Sequence, residues 1–505
     1  MTFRVLPVLK LLALMVPVVA ASCAPPPNNS RQAERFPLST QSRAALNVDP
    51  IPIDFAAFPD PPTRPLGAVT ISLLLPMSDA RDHVRRVASD LFNAAQLAVF
   101  DAGQSNIVLR LHDTNGTPDG AAYAAKAAIA AQADILVGPL FSTSVAAVAP
   151  LLAGRNIPAL AFSNDRAVRA DHVWLLGFMP EQNIDRVVVE TISQGLTRFG
   201  VLVPEGPYGD AMLAQVTARI TRFGGEVVQS EAYPEDAKGM FDPVRRLAHF
   251  ERRKQAHADE LARLTSEARR LAPANTQDAE LFTALAAIAP ELVSAHETLK
   301  RVETLGEIPY DVVFVPEGGL ALRKLAPLLP YFDIDPKLVK FIGTGLWDDP
   351  SLSQEPPLHG GWYAAPDRQL WDGYQSRYEQ LFVRPAPRLS SIAYDAVSLA
   401  TRLAIMNKSD PFARPLLTDP NGFSGLDGIL RLTQDGLSER GLAVQEITAK
   451  SPRTVSPAPR SFVEHDRRMR AALALAESLQ EAAPLNTMSL QTPPTENGAK
   501  PVIPQ

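Results

Sequence analysis

The chain has 505 residues, of which 46% are hydrophobic and 21% are charged, and its formal net charge is -6. This hydrophobic fraction is ordinary for globular proteins, and the length allows two or three domains with full cores. The acidic balance gives no reason to expect nucleic acid as a partner. We therefore expect a multidomain globular protein that does not bind nucleic acid.

Residues 1–22 have the pattern of a cleaved signal peptide. Arg4 and Lys10 precede an apolar run over 11–21, which is too short to span a bilayer. Cys23 is the only cysteine, so it cannot form an internal disulfide. The segment AASC at 20–23 resembles a bacterial lipobox, which implies a diacylated Cys23 at the mature N-terminus. The alternative is an incidental cysteine within an ordinary signal.

The next segment, 23–66, is rich in proline and polar residues and predicts an extended tether. Acyl chains contribute about 0.8 kcal/mol per buried methylene, so a diacylated Cys23 predicts a firm contact with a membrane. Ala24 follows the cysteine where an aspartate would favour the inner membrane. These features predict a lipid-anchored protein of the bacterial envelope that faces the periplasm from the outer membrane.

Strand-like and helical patterns alternate twice after residue 67. The first set, over 67–182, has apolar strand patterns at 69–75, 107–112, 135–137 and 157–162, and the second set, over 183–365, has them at 199–203, 226–230, 311–315 and 339–342. Alternation of this kind predicts parallel sheets covered by helices, with the strand carboxyl ends on one edge. We therefore expect two α/β lobes of similar design, with a ligand site between them.

Three segments depart from the alternation. A helical pattern at 244–305 interrupts the second set, with an apolar stripe in its second half and Pro290 predicted to kink or restart the helix. We expect a helical hairpin packed on its own lobe, and a partner-docking arm is the alternative. Residues 366–450 are predicted to return to the first lobe and end in a closing hairpin, and 451–505 to form a helix and a disordered tail.

Polar residues follow the apolar strand patterns and predict a binding crevice. Ser142, Thr143 and Ser144 stand after the strand at 135–137 and before an alanine-rich helix, where free N–H groups favour an anion or carboxylate. Asn164 and Asp165 follow the next strand. Helix capping is the alternative for any one of these residues. From the second lobe we expect Tyr208, Glu317 and Trp347, although core packing is an equal alternative for Tyr208 and Trp347.

Signs of catalysis are weak. The eight histidines are scattered without the spacing of a metal site, and no Walker or dinucleotide glycine pattern follows a strand. The sequence GFSG at 422–425 is one residue short of a nucleophile elbow. Asp348, Asp349 and Asp372 are expected to be solvated. We predict no enzyme activity, no cofactor and no metal site.

Several short motifs resemble proteins with a type I periplasmic-binding fold, and in particular the LppC-type lipoproteins, also called penicillin-binding protein activators. The motifs are SLLLP at 72–76, HDTNG at 112–116, VGPL at 137–140, AFSND at 161–165, DVVFVPE at 311–317, LLPYF at 328–332 and GTGLW at 343–347. The resemblance implies a two-lobed α/β fold, each lobe a parallel sheet flanked by helices, with the helical insertion in the second lobe.

The resemblance implies two different functions. LppC-type proteins stimulate a peptidoglycan synthase in the periplasm. Amino-acid-binding members, which serve ABC importers, hold a ligand carboxylate where Ser142 to Ser144 stand and its ammonium near Asn164 and Asp165. They also use an acidic residue where this chain has Gly345. We rank the regulator of a peptidoglycan synthase first, and the receptor for a small polar solute second.

Overall fold

The structure, a computed structural model, describes residues 67–234, 239–407 and 409–482. The predicted signal peptide, Cys23, the tether and the tail after residue 482 lie outside the described residues. Two separate sheets carry most of the strands, and a smaller third sheet lies near the chain's last passage between them. Among the described residues, no helix combines the length and the apolar character needed to cross a membrane.

The first sheet contains five parallel strands in the order β2-β1-β3-β4-β5. They are β1 (Val69–Leu75), β2 (Ile107–Asp113), β3 (Ile135–Val137), β4 (Ala159–Ala161) and β5 (Val173–Leu175). Successive side chains of β1 point to opposite faces, so Ile71 and Leu73 join one apolar cluster and Leu74 joins another. Both faces of the sheet are therefore buried, which accounts for nearly continuous apolar sequences in its central strands.

Helices cover both faces of this sheet. They are α1 (Asp82–Ala102), α2 (Pro118–Ala130) and α3 (Ser142–Leu152). Alanines of α2 pack beside Leu74 and Leu136, because small side chains let a helix lie close to the sheet. The opposite face packs against α1 and against two helices from later in the chain.

The second sheet contains seven strands in the order β15-β14-β10-β9-β8-β6-β7. They are β6 (Arg198–Pro204), β7 (Glu226–Tyr233), β8 (Val312–Val315), β9 (Lys340–Gly343), β10 (Trp362–Ala365), β14 (Ala443–Glu446) and β15 (Arg453–Ser456). The first five run parallel, and β14 and β15 are antiparallel to their neighbours.

The second sheet is also buried on both faces. One face packs against α4 (Pro180–Ser193), α5 (Pro207–Arg222) and α15 (Phe462–Ala482). The other face packs against α6 (Phe241–Leu247), α10 (Gly319–Leu325) and α11 (Leu328–Tyr331). The molecule thus has two α/β lobes, each a sheet between helical layers, which confirms the predicted fold class.

The helical insertion has an apolar cluster of its own. Its helices are α7 (Phe250–Leu271), α8 (Leu281–Ala284) and α9 (Pro290–Leu299). Leu264 and Ala268 on α7 pack against Leu281, Leu285 and Leu292, separately from the two clusters of the second lobe.

The base of the insertion joins the lobe through the ring of Phe250, which meets that of Phe332 at 5.3 Å. The predicted single stripe is interrupted, because the helix restarts at Pro290, and Ile288 and Val302 lie exposed.

The chain passes between the lobes three times. It first leaves β5 for α4, and it later leaves β10 for α12 (Arg368–Phe382) and α13 (Ser390–Met406), which pack on the first lobe. After the short α14 (Arg414–Leu417), it forms an antiparallel sheet of β11 (Phe423–Gly425), β12 (Gly428–Leu432) and β13 (Ser438–Arg440). It then enters the second sheet as β14.

Residues 366–450 therefore do not all return to the first lobe. The prediction of a closing hairpin fails for 443–446, which pair with β10 in the second sheet. The stretch at 453–456 is likewise a strand of that sheet, although it lies in the segment predicted as helix and tail. Runs of four residues contain too few side chains to show on which sheet they belong.

Candidate functional site

The first edge of the predicted crevice lies where β3 ends and α3 begins. Gly138 has a φ of 95°, and a Cβ atom there would lie 2.4 Å from the carbonyl oxygen of Leu74. Only glycine fits this close approach between the ends of β1 and β3. The turn places Ser142, Thr143 and Ser144 in the first turn of α3, whose first N–H groups lack helical partners.

The three hydroxyl residues differ in their surroundings. The N-cap residue of α3 is Phe141, and no side chain caps the helix, so capping does not explain the hydroxyls. Thr143 is exposed and Ser142 is half-buried. Ser144 is 1% exposed, and its Oγ has no hydrogen-bond partner among the described residues. A buried hydroxyl without a partner is a cost that a bound acceptor could offset.

Asn164 and Asp165 lie beyond the end of β4, and both are exposed. The carboxylate of Asp165 accepts a hydrogen bond from the N–H of Ala167 at 2.9 Å and caps a short 3₁₀ helix. The amide of Asn164 donates to the carbonyl oxygen of Phe178 at 3.4 Å. Local capping thus accounts for the observed contact of Asp165, and a ligand contact for either residue stays a prediction.

The second edge of the crevice carries Tyr208 and Glu317. Tyr208 follows the end of β6, is 52% exposed, and donates from its hydroxyl to the carbonyl oxygen of Pro316 at 3.4 Å. Glu317 follows the end of the neighbouring β8, where it accepts from the Tyr233 hydroxyl at 2.8 Å and from the Gly318 N–H at 3.0 Å. Burial, and then the charge of Glu317, raise the pKa of Tyr208.

Trp347 packs beneath this edge. It is 1% exposed within the core of the second lobe, and its indole N–H donates to the carbonyl oxygen of Glu317 at 3.0 Å. A Cβ atom at Gly343 would fall 2.1 Å from the indole ring, so this glycine makes room for it. Trp347 therefore positions the backbone of Glu317, and a direct contact between its indole and a ligand stays a prediction.

An ion-pair cluster joins the two lobes. Asp348, three residues beyond Gly345, pairs with Arg368 at 3.2 Å and with Arg388 at 3.3 Å. Its side chain is only 9% exposed, so the expectation that Asp348 is solvated was wrong. The guanidinium of Arg388 also lies 5.7 Å from the ring centre of Phe178, just beyond β5. The carboxyl ends of β5 and β9 therefore meet at this cluster.

The cluster extends into the first lobe, where Asp395, Asp427 and Arg440 are buried. Arg388 pairs with Asp427 at 2.7 Å, and Arg440 lies 3.6 Å from Asp427 and 3.5 Å from Asp395. Burial, and then the charge of Asp427, raise the pKa of Asp395. We call Asp348, Arg388, Asp395, Asp427 and Arg440 the hinge cluster, because they lie where the chain passes between the lobes.

Sequence reasoning missed most of the hinge cluster. Its members are spread over almost a hundred positions and follow no motif spacing, so only the tertiary fold brings them together. The sequence predicts a solvated Asp348, because the adjacent Asp349 suggests a hydrated pair of acids. A signal was available in the sequence for Asp427 alone, because it stands within the apolar pattern LDGIL at 426–430.

The described residues offer no obvious metal site. Within 67–234, 239–407 and 409–482, no three His, Cys, Asp or Glu side chains are grouped closely enough to hold a metal ion. The carboxylates of the crevice instead contact arginines, tyrosines and backbone N–H groups. The arrangement is suited to holding a polar molecule by hydrogen bonds and charge.

Comparisons with known proteins agree with this architecture. A family model described as "Periplasmic binding protein" matches residues 68–250. A branched-chain amino acid ABC transporter periplasmic ligand-binding protein from Burkholderia xenovorans aligns with 77% of this chain and 96% of its own, at 15% identity and a TM-score of 0.54. An ABC transporter substrate-binding protein from Sphaerobacter thermophilus aligns with the same shares at 14% identity and a TM-score of 0.51.

A comparison with curated proteins gives no match. The solved structures are too different in sequence to show more than the fold. The chain has the two-lobed α/β fold of the type I periplasmic binding proteins.

Proposed function

We propose that this chain is a non-catalytic, lipid-anchored receptor of the periplasm that binds a small polar solute between its lobes and serves an ABC importer. The fold supports a binding role, and the two similar structures are described as ABC transporter binding proteins. The lipobox-like segment ending at Cys23 supports a membrane anchor. This order reverses the ranking from the sequence, in which regulation of a peptidoglycan synthase came first.

The observation that carries the proposal is the carboxylate of Glu317. Both of its oxygens accept hydrogen bonds, yet no Lys or Arg among the described residues forms an ion pair with it. A half-buried carboxylate that forms no ion pair is unusual here, because most acidic residues between the two lobes form ion pairs with arginines. A cationic group of a ligand would complete it, in the role that the resemblance assigns to the position of Gly345.

The first edge of the crevice favours a negatively charged group, whereas Glu317 at the second edge favours a positively charged one. The free N–H groups at the start of α3 and the unpartnered hydroxyl of Ser144 favour a carboxylate or another anion. A solute with an ammonium group at one end and a carboxylate at the other would meet Glu317 and α3. We therefore place amino acids and related zwitterions first among the candidates.

Calorimetry and thermal unfolding across amino acids and peptidoglycan fragments test the proposal. A ligand at a hundred times its Kd should stabilise the protein by about 2.7 kcal/mol. Glu317→Gln should weaken binding at least about tenfold, because it removes the charge and keeps the shape. Glu297→Gln is the matched control, since Glu297 lies exposed beside Lys300 on the helical insertion. Equal affinity of both variants would contradict the assignment of Glu317.

Regulation of a peptidoglycan synthase is the second candidate. The resemblance to LppC-type proteins supports it, and the helical insertion, with its own apolar cluster, is a surface that a partner could use. A pull-down from detergent extracts with the tethered mature protein tests it. Recovery of a synthase, together with no stabilisation by any solute, would restore the regulator to first place.

A further inference from the structure

A cavity of about 870 Å³ lies on the side of the molecule covered by the C-terminal helix. Its walls come from α4, the end of α5, strands β12 and β13, and α15, and we call it the α15 cavity. None of the eight residues predicted for the crevice lines it. Its volume falls within the range of small-molecule sites, which is about 300–1,000 Å³. It is therefore a second space, separate from the crevice edges.

One side of the α15 cavity is apolar. Val189 and Ile192 of α4, Phe223 at the end of α5, and Met469 and Leu475 of α15 line it. Leu475 is partly exposed, although the other side of α15 packs on the second lobe through residues such as Ala476. An apolar chain of a ligand would remove these surfaces from water, which favours binding.

The arginines that line the cavity already have partners. Arg219 donates to Asp185 Oδ2 at 2.8 Å, and Arg186 donates to Glu190 at 3.0 Å and to the carbonyl oxygen of Leu442 at 2.9 Å. Arg431 pairs with both Glu439 and Asp466. A ligand anion would therefore have to compete with carboxylates for these guanidinium groups.

Two further arginines, Arg440 and Arg222, line the cavity. Arg440 makes no hydrogen bond through Nε or Nη1, but the carboxylates of Asp395 and Asp427 balance its charge at 3.5 and 3.6 Å. Arg222 is exposed, and its guanidinium lies 5.5 Å from the ring centre of Phe223. Neither arginine provides a buried positive charge that lacks a counter-charge.

Some hydrogen-bond acceptors at the cavity, in contrast, have no donor. Asp185 Oδ1 and Glu181 Oε2 are buried and have no hydrogen-bond partner among the described residues. The second oxygen of each acid already contacts an arginine, Arg219 for Asp185 at 2.8 Å and Arg166 for Glu181 at 3.5 Å. The two acids lie four positions apart on α4, so they share one face of the helix. The buried hydroxyl of Ser438 lines the same cavity and also lacks a partner.

We propose that the α15 cavity is a second ligand site, which takes an amphipathic amine with its ammonium group at Asp185 and Glu181 and its apolar chain against α15. The unused acceptors select a donor-rich, positively charged head group. Burial, opposed by Arg219 and Arg222 and assisted by Glu181, raises the pKa of Asp185 to about 6. At pH 7.5 the carboxyl group is therefore ionised and would gain from a nearby cation.

The test compares three probes with the same eight-carbon chain: octylamine, octan-1-ol and octanoate. Calorimetry on the folded chain at pH 7.5 should show octylamine binding most tightly and octanoate most weakly. Asp185→Asn should weaken octylamine binding at least about tenfold. Asp210→Asn is the control, because Asp210 is exposed on the neighbouring α5. Octanoate binding as tightly as octylamine, or full affinity in Asp185→Asn, would overturn the proposal.

Two more variants separate a folding defect and the crevice from this site. Ala472→Trp should fill the cavity from α15 and abolish octylamine binding while the thermal transition stays cooperative. Glu317→Gln should leave octylamine affinity unchanged, because Glu317 belongs to the crevice. Loss of octylamine binding in Glu317→Gln, with normal binding in Ala472→Trp, would place the amine in the crevice and overturn the proposal.

Discussion

The hinge cluster and the crevice edges are both polar regions between the same two lobes, yet their charges are arranged differently. In the hinge cluster, Asp348, Asp395 and Asp427 each face at least one arginine within 3.6 Å. At the crevice edges, Glu317 faces no cation and the Ser144 hydroxyl has no partner among the described residues. Because buried polar groups are normally satisfied, matched charges indicate structure and unmatched ones indicate a place for a ligand.

The largest expected effect comes from removing one carboxylate of the hinge cluster. Asp427→Ala leaves Arg388 and Arg440 with fewer counter-charges in a region where Asp427 itself is 0% exposed. Loss of one partner from a buried ion pair costs about 3–5 kcal/mol. Urea unfolding measures the change, and Asp372→Ala on the exposed side of α12 is the control. A loss below about 1 kcal/mol would mean that the cluster is not structurally important.

A second variant tests whether the helical insertion is stabilised on its own. Leu285→Ala removes a fully buried side chain from the separate cluster around Leu264 and Leu292, and such truncations cost about 2–5 kcal/mol. We expect faster hydrogen exchange within 250–305, with protection in both sheets unchanged. Equal loss of protection in β8 and β9 would show that the insertion and the lobe unfold together.

Acid titration gives the third prediction, which concerns Asp185. The pKa of Asp185 is about 6 in the folded chain and 3.8 in the unfolded chain. Between pH 4 and 6 the carboxyl group is therefore protonated in the folded state and ionised in the unfolded state. The contribution of Asp185 to stability is therefore complete below pH 4 and is lost as the pH rises through 6. Its size is at most about 3 kcal/mol.

The measurement is the difference in unfolding free energy between the unsubstituted chain and Asp185→Asn at pH 4, 5, 6 and 7. We expect Asp185→Asn to gain relative stability as the pH rises across this window. A difference that stays constant with pH would mean that Arg219 keeps Asp185 ionised throughout.

The smallest expected effect on stability is at Tyr208. Because its ring is half-exposed, Tyr208→Ala should change the free energy of unfolding by about 0.5 kcal/mol or less. Its effect on solute binding should be larger than its effect on stability, if the crevice is used. Trp347→Phe at the buried position below is the contrasting variant, which should alter stability first. If Tyr208→Ala mainly lowered stability and Trp347→Phe mainly weakened solute binding, Trp347 and not Tyr208 would be the residue that contacts the solute.

The alternation of patterns was enough to predict two α/β lobes, because long buried strands such as Val69–Leu75 and Phe199–Val203 have clear apolar runs. Some of the shorter strands were not predicted, although the three-residue strand Ile135–Val137 was. Val173–Leu175 and Trp362–Ala365 contain three and four residues, too few to show a period. The antiparallel pairing of Ala443–Glu446 with β10 depends on residues about eighty positions away, which local sequence cannot indicate.

The candidate site was predictable in part for a similar reason. Tyr208, Glu317 and the serines follow strands, so their positions at sheet edges could be inferred from the pattern. Their burial could not, because it depends on the neighbouring strands and on the turns that follow. Trp347 shows this limit: its place beyond the strand pattern at 339–342 suggested the crevice, whereas the indole packs inward against Gly343. Arg388 was missed because its partners come from three distant segments.

Arg440 also constrains how the lobes can move. It stands at the third passage between the lobes and donates to the carbonyl oxygen of Leu176 at the first passage. Two of the three chain segments that pass between the lobes therefore meet at one guanidinium group, and Asp395 of the first lobe forms an ion pair with it. If a bound solute draws the lobes together, the motion should pivot near this point, so fluorophores attached beside Arg440 should report a constant distance while a pair across the outer rim reports a changing one.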